Sequence, residues 1–315
     1  MGSQAAAPSG DQSILSNAMH RQSFGHLNQA DWLRVLLRSM RADEVDGVPM
    51  PAFPSSDLQV ATHGTNGRGA LQEAHRFTQL VERYCRQECR PIVASTRVLD
   101  FGCGWGRMLR LFLNRVDSHH LYGVDVRPDV VALARQLNPF AQFSVVEPVQ
   151  RLPFADGWFD LVIAYSVFSH LNEATSRAWV AELARVLKPG GLAILTTQDS
   201  GFLDFAKSLT TWKPLWRIRF ALARAMGRPG CENWLKGLVN AFADIDAAKQ
   251  RIAAGQFVHA STGGGSELES SFYGETIIPR AYVEREWREF DLIDFVAGHG
   301  RSAQAVIVLR KPLSA

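Results

Sequence analysis

Short apolar runs alternate, through the middle of the chain, with stretches in which apolar residues recur every three or four positions. Val98 and Leu99 read as a buried strand, and Met108, Leu109, Leu111 and Phe112 follow as one face of a helix. Residues 120–126 predict a second strand. Val130, Val131, Leu133 and Ala134 predict the buried side of the next helix, with Asp129 as its expected cap. A third strand is expected over 143–146. A fourth, apolar along its length as central parallel strands are, is expected over 161–164. A helix over 173–186 should stop at Pro189, Gly190 and Gly191, before a strand over 192–196. Strands alternating with helices predict a parallel sheet covered on both faces. Two further strands are expected at the end, over 290–296 and 303–309.

The flanks are patterned differently. Residues 1–28 are rich in Ser, Gln, Ala and Gly and read as a disordered tail. A helix carrying Trp32, Leu33, Val35, Leu36 and Leu37 is expected to be capped by Asp31. The prolines and glycines that follow argue against a long element, and helical spacing resumes over 70–86. His63, Gly64 and Thr65 read either as part of a gate or as a surface loop before a packing helix. Residues 199–271 form an insertion far longer than an ordinary connection. The organisation expected is a tail (1–28), an N-terminal helical segment and gate (29–92), a core (93–198), a helical lid (199–271) and the end of the core (272–315).

The chemistry gathers where the first strand ends. Asp100 is followed by Gly102, Cys103, Gly104, Trp105 and Gly106 in a glycine-rich turn. Glycine lets the backbone come close to a ligand, so strand, turn and helix together make a nucleotide-type site. The spacing is G-x-G-x-G, not the G-x-G-x-x-G of dinucleotide sites, and the acid precedes the first glycine by two residues. A carboxylate there repels a pyrophosphate and holds a cationic amino acid. About twenty residues on, Asp125 stands near the end of the second strand, where an acid accepts hydrogen bonds from ribose hydroxyls.

This stretch resembles the first motif of the class I S-adenosylmethionine-dependent methyltransferases. The run Leu152, Pro153, Phe154, Asp156, Phe159 and Asp160, and the segment Leu187 to Gly191, resemble that family's middle region and its helix stop. The resemblance covers about a third of the chain. It implies an α/β, Rossmann-like, seven-stranded mostly parallel sheet with an antiparallel last hairpin, helices on both faces and a helical lid insertion. It also implies S-adenosyl-L-methionine as cofactor. The residues expected to hold it are Asp100, Gly102, Cys103, Gly104, Gly106, Arg107, Asp125, Val126, Glu147, Val149 and Tyr165. One departure stands out. Where the family often places an acid for the adenine amino group, this chain has Pro148, leaving Glu147, the Val149 backbone or Gln150 to make the contact.

Methyl transfer from a sulfonium is an in-line displacement in which the protein aligns donor and acceptor and excludes water. A hydroxyl acceptor calls for a base. His170 is the first candidate, since it should lie near the carboxyl end of the fourth strand, where open α/β sheets bind ligands. Tyr165, Tyr273, His63 and Glu275 follow. His259 and His299 qualify only if the insertion and the last hairpin fold over the site. The expected reaction is methylation of a small-molecule acceptor, first a hydroxyl of a sugar or secondary metabolite, with N- or S-methylation as the alternative. Remoter alternatives are an NAD-dependent oxidoreductase and a non-catalytic S-adenosylmethionine-binding protein. In the insertion, Phe202, Phe205, Trp212, Trp216 and Phe220 interleave with Lys207, Lys213, Arg217, Arg219 and Arg224. Such a basic, aromatic stretch fits an anionic acceptor, peripheral contact with a membrane surface, or a lid with a solvated basic face.

Composition narrows this little further. With 315 residues and 46% hydrophobic content, the chain can bury a sizeable core. A net charge of +3 is too mild to indicate nucleic acid, which is not expected as a partner. The four cysteines form no C-x-x-C pair and no ligand cluster, so no metal is expected and a reduced, cytoplasmic setting is. No run of 18 apolar residues predicts a membrane span. The first residues resemble neither a secretory signal nor a complete myristoylation signal. Oligomeric state is left open.

Overall fold

The computed structural model describes residues 15–63, 65–211, 244–262, 268–298 and 304–313. Seven strands form one sheet. They are β3 (Val98–Phe101), β4 (Leu121–Asp125), β5 (Gln142–Val145), β6 (Phe159–Ala164), β7 (Leu187–Gln198), β10 (Asp291–Val296) and β11 (Gln304–Arg310), in the order β10-β11-β7-β6-β3-β4-β5. β3 pairs in parallel with both β4 and β6, and β4 with β5, while β10 and β11 pair antiparallel. The expected sheet is therefore present.

The chain divides into two compact units. The first runs to Ala164 and adds Arg185–Ile194 and the described end of the chain at Leu313. Its helices are α1 (Ala18–Phe24), α2 (Gln29–Arg38), α3 (Ser56–His63), α4 (Gly67–Gln87) and α5 (Pro128–Leu137). Every residue of β3 is buried. Tyr122, Phe154 and Phe159 meet edge-on with centroids 4.8–5.5 Å apart, the arrangement that ring quadrupoles favour.

Several expectations for this unit are corrected. Part of the supposed tail is the ordered helix α1. Asn17 Nδ2 donates to the carbonyls of Leu113 and Val116, and its Oδ1 accepts from Ser118 N, so one side chain satisfies three backbone groups and docks the helix. His20 and Phe24 bury behind it. The cap of α2 is Asn28, which accepts from Asp31 N at 3.0 Å; Asp31 sits in the first turn. Likewise α5 starts after Arg127 with Pro128 in its first turn, and Asp129 pairs with Arg127 instead of capping. Val45-Asp46-Gly47-Val48 is a hairpin joining β1 (Glu44–Val45) and β2 (Val48–Pro49), with both turn residues at positive φ.

The helix expected after the glycine turn is a run of turns with one short 3-10 segment, Leu109–Phe112. Residues 103–114 are buried on every side, so there is no exposed face for an amphipathic helix to turn outward. Nor does Leu187 to Gly191 separate helix from strand: β7 begins at Leu187, directly after α6 (Glu173–Val186).

The second unit comprises Tyr165–Ala184 and Leu195–Pro312. Here the insertion supplies α7 (Gly201–Thr211), α8 (Ile245–Ala253) and β8 (Val258–Ala260). β8 pairs antiparallel with β9 (Glu275–Ile277), a pairing the sequence pattern did not predict. Phe202, Leu203, Ala206, Ala248, Val258, Ala260 and Ile277 close a small core of their own. Phe202, expected on a lid, is one of these core residues, whereas Phe205 is half exposed. Within the expected lid, α8 starts at Ile245, behind the Asp244 cap. Trp212, Lys213, Trp216, Arg217, Arg219, Phe220, Arg224, Cys231 and His299 lie outside the described residues, as do the gate side chains His63 and Gly64. The unit ends with α9 (Arg280–Glu286), β10 and β11. Among the described residues no helix is long and apolar enough to cross a membrane, and no cluster could hold a metal ion.

Candidate functional site

In the first unit, β3 ends at Phe101 and delivers the chain into the glycine turn. Gly102, Gly104 and Gly106 have φ of 75°, 53° and 79°, a region other residues enter at a cost. The turn is tied to β4: Gly102 N and Cys103 N both donate to Val124 O, and Gly104 N donates to Asp125 Oδ2 at 3.0 Å. Asp125 Oδ1 accepts from Arg127 N, so each carboxylate oxygen holds a backbone N–H, and the Val126 N–H adds to them. Burial raises the Asp125 pKa, against the pull of these N–H groups. Val126 is half-buried beside it.

Asp100 is 1% exposed, and its Oδ2 makes no hydrogen bond. A buried carboxylate oxygen without a donor is costly. Its pKa is pushed up to about 8 by burial, with the Arg107 charge opposing and Asp125 adding. Arg107, 2% exposed, is held toward α4: Nη1 donates to Ala70 O at 3.1 Å and to Glu73 Oε2 at 2.6 Å. The Cys103 side chain is buried, and burial drives its thiol well above the ordinary range. It lies near Gly123, where an added Cβ would stand 2.9 Å from Cys103 Sγ, and it donates to Gly104 O at 3.5 Å. Glu147 and Val149 are exposed in the loop after β5, with Glu147 N donating to Gln150 Oε1 at 3.2 Å.

The structure thus brings Asp100, Gly102, Gly104, Gly106 and Asp125 together as a cradle. An unsatisfied buried carboxylate and turned-out glycine backbone suit a ligand with an ammonium at one end and a nucleoside at the other.

In the second unit, Tyr165 and Ser166 directly follow β6, and His170 comes four residues later. His170 Nδ1 donates to Gly274 O at 2.8 Å, and Glu275 Oε2 stands 3.7 Å from the same nitrogen. The Tyr273 ring stacks on the imidazole with centroids 4.8 Å apart and planes 9° apart. Glu275 is buried and accepts from Gln198 Nε2 at 2.8 Å. The β8–β9 pairing brings His259 into the same cluster: its Nδ1 donates to Thr276 Oγ1, which in turn donates to Leu171 O. Burial, with the nearby His170, lowers the His259 pKa to about 4. His170 and Tyr273 are therefore together. Tyr165 is half-buried beside Ser166 in sequence. Sequence reading did not weigh Ser166, Thr196 or Gln304, which also join this cluster. A hydroxyl or amide carries no local pattern that marks it out, and these three meet only through the fold.

The parallel strand order, the β3 turn and the two acids make a nucleotide-type α/β site. Residues 98–191 match the family described as Methyltransferase domain. A malonyl-(acyl-carrier protein) O-methyltransferase of Hahella chejuensis is 34% identical over 102 residues, 32% of this chain and 36% of that protein. A probable chloroplastic tocopherol O-methyltransferase of Oryza sativa subsp. japonica is 33% identical over 142 residues, 42% of this chain and 38% of that protein. Across the first of the curated relatives, the matched part spans 31% to 59% of their length. A solved S-adenosylmethionine-dependent methyltransferase from Mesorhizobium loti is 13% identical and has a TM-score of 0.47, covering 73% of this chain and 96% of that one.

Proposed function

We propose that this protein transfers a methyl group from S-adenosyl-L-methionine to an oxygen of a small-molecule acceptor, in the first instance a hydroxyl of a sugar or secondary metabolite. The observation that carries the donor half is Asp100: a buried carboxylate oxygen without a partner beside three positive-φ glycines. Asp100 would take the ammonium, the backbone of Gly102–Gly106 would pass under the ligand, and Asp125 would accept from the ribose hydroxyls. Glu147 and Val149 would border the adenine. Cys103 and Val126 would contribute backbone, Arg107 would hold the turn in place, and Tyr165 would lie at the end of β6. When bound, the donor supplies an electrophilic methyl group on a sulfonium. The oxygen acceptor is favoured by the O-methyltransferase names of two relatives. For the base, His170 is favoured by an imidazole whose Nδ1 is engaged by a carbonyl, which leaves Nε2 to accept a proton.

Calorimetric titration with S-adenosylhomocysteine, with NAD as control, tests the donor. The expected result is binding of the first alone, and binding of NAD instead would overturn the reading. A screen of hydroxylated, amino and thiol acceptors for S-adenosylhomocysteine formation then tests the oxygen, which turnover of only amines or thiols would refute.

A further inference from the structure

Ser166 is the feature of the second unit that its packing does not explain. It has φ of 62°, a left-handed conformation that a residue with a Cβ adopts at a cost, and it is the second residue after β6. Its N–H and its hydroxyl are both engaged. Ser166 N donates to Thr196 Oγ1 at 2.7 Å. Thr196 Oγ1 donates to Gln304 Oε1 at 2.6 Å, which turns the other end of that amide to Ser166, and Gln304 Nε2 donates to Ser166 Oγ at 2.8 Å. With one lone pair of Oγ taken by an N–H, the serine hydrogen is free to point elsewhere. His170 Nε2 is 3.3 Å away, a long contact of the kind catalytic pairs show before a substrate draws them together. Ser169 Oγ, at 3.4 Å, lies beyond the usual O–H···O range. On the far side of the ring, Gly274 O accepts only, so the Nδ1 atom must carry the proton and Nε2 must be the acceptor. Donation therefore runs one way: Thr196 to Gln304 to Ser166 to His170 to Gly274.

We propose that Ser166 is the catalytic residue that meets the acceptor hydroxyl and relays its proton to His170, with Thr196 and Gln304 as positioning residues. This rests on the methyltransferase reading above. The second lone pair of Ser166 Oγ receives the acceptor O–H. As the acceptor oxygen bonds to the methyl carbon, the donor's carbon–sulfur bond breaks and its electron pair stays on sulfur. The acceptor proton passes to Ser166 Oγ, and the serine's own proton passes to His170 Nε2. The imidazolium so formed faces the Glu275 carboxylate and the Gly274 carbonyl, with the Tyr273 ring stacked on it and His259 near it. The left-handed backbone at Ser166 aims the hydroxyl, which explains why a strained serine stands where glycine would fit.

The test is nitrogen-15 NMR of histidine-labelled protein, which reads the tautomer without any turnover. In the wild type, His170 should show a protonated Nδ1 and an unprotonated, hydrogen-bonded Nε2. Ser166→Gly, which suits the backbone conformation, should leave the tautomer unchanged and move the Nε2 resonance to that of an unbonded nitrogen. Gln304→Glu should do likewise, because a carboxylate there accepts the serine hydrogen and draws it away from His170. Both variants should bind S-adenosylhomocysteine as the wild type does, while kcat on the acceptor found in the screen falls roughly a hundredfold. A wild-type His170 protonated on Nε2, or an Nε2 resonance that ignores Ser166→Gly, would overturn the relay. Loss of S-adenosylhomocysteine binding by the wild type would instead overturn the methyltransferase reading.

Discussion

The two units hold their polar groups by opposite means. In the cradle, backbone does the positioning: three glycines at positive φ and N–H groups given to Asp125 shape a turn directly after β3. In the second unit, side chains position one another. Ser166, His170, Thr196, Gly274 and Gln304 meet from four separate stretches of chain through bonds of 2.6–3.3 Å. Local geometry is written in consecutive residues, whereas a mutual network is written in the fold. The first kind of site depends on conformation, so it should fail when a Cβ is added. The second depends on donor polarity, so it should fail when one atom is exchanged with no change of shape.

The largest effect on stability should come from Gly106→Ala. The residue would have to hold φ of 79°, and its Cβ would stand 2.8 Å from Phe143 Cζ. Left-handed strain of about 1–2 kcal/mol and overpacking of about 1–3 kcal/mol together give a loss of about 2–5 kcal/mol in denaturant unfolding. Ser166→Gly is the contrasting case. Relief of its left-handed strain offsets the loss of the Gln304 hydrogen bond, so any loss of stability should be small, and one comparable to that of Gly106→Ala would erase the distinction between the two regions.

A smaller effect is expected from acid. His20, 1% exposed between Phe140 and Trp32, has its pKa lowered by burial to about 4, against the pull of the Pro49 backbone. The unfolded chain takes up this proton first, near pH 6.5, so the folded state keeps its full advantage above that pH. It loses the advantage as pH falls toward about 4. Two and a half pH units at 1.36 kcal/mol each set an upper bound on the order of 3 kcal/mol. Half-buried His259 should add a smaller loss of the same sign in the second unit. Unfolding measured between pH 7 and pH 4 should therefore show His20→Phe losing less stability than the wild type, and equal losses would refute the assignment.

A more local effect is expected from Glu73→Gln. It removes the carboxylate that Arg107 Nη1 reaches at 2.6 Å but leaves the Ala70 carbonyl as acceptor. A loss of about 1–3 kcal/mol is expected in unfolding, with S-adenosylhomocysteine affinity lowered only as far as the turn loosens.

The same contrast explains what the sequence disclosed. β3, β4, β6, α6 and the final hairpin were legible because apolar runs and helical spacing are local signals. The cradle was legible because Asp100 and its glycines are neighbours in sequence. Composition hid α1, whose docking rests on one asparagine, and misread residues 103–114, whose burial on every side erases the periodicity a helix would show. The Asp46-Gly47 hairpin did carry a signal, the Asp-Gly pair between valines, that the proline-rich surroundings masked. Ser166, Thr196 and Gln304 carried none, since nothing in one chain segment says which hydroxyl another segment will meet.

The central claim is that Asp100 receives the donor's ammonium, and calorimetry at pH 7 in buffers of different ionisation heat tests it most directly. With a pKa raised to about 8, Asp100 is mostly protonated before binding and must ionise beside a cation. S-adenosylhomocysteine binding to the wild type should therefore release a proton. Asp100→Asn should bind at least about a hundredfold more weakly, the loss of one buried charge partner worth about 3 kcal/mol, and should release none. Equal affinity in the variant, or no proton released by the wild type, would contradict the assignment.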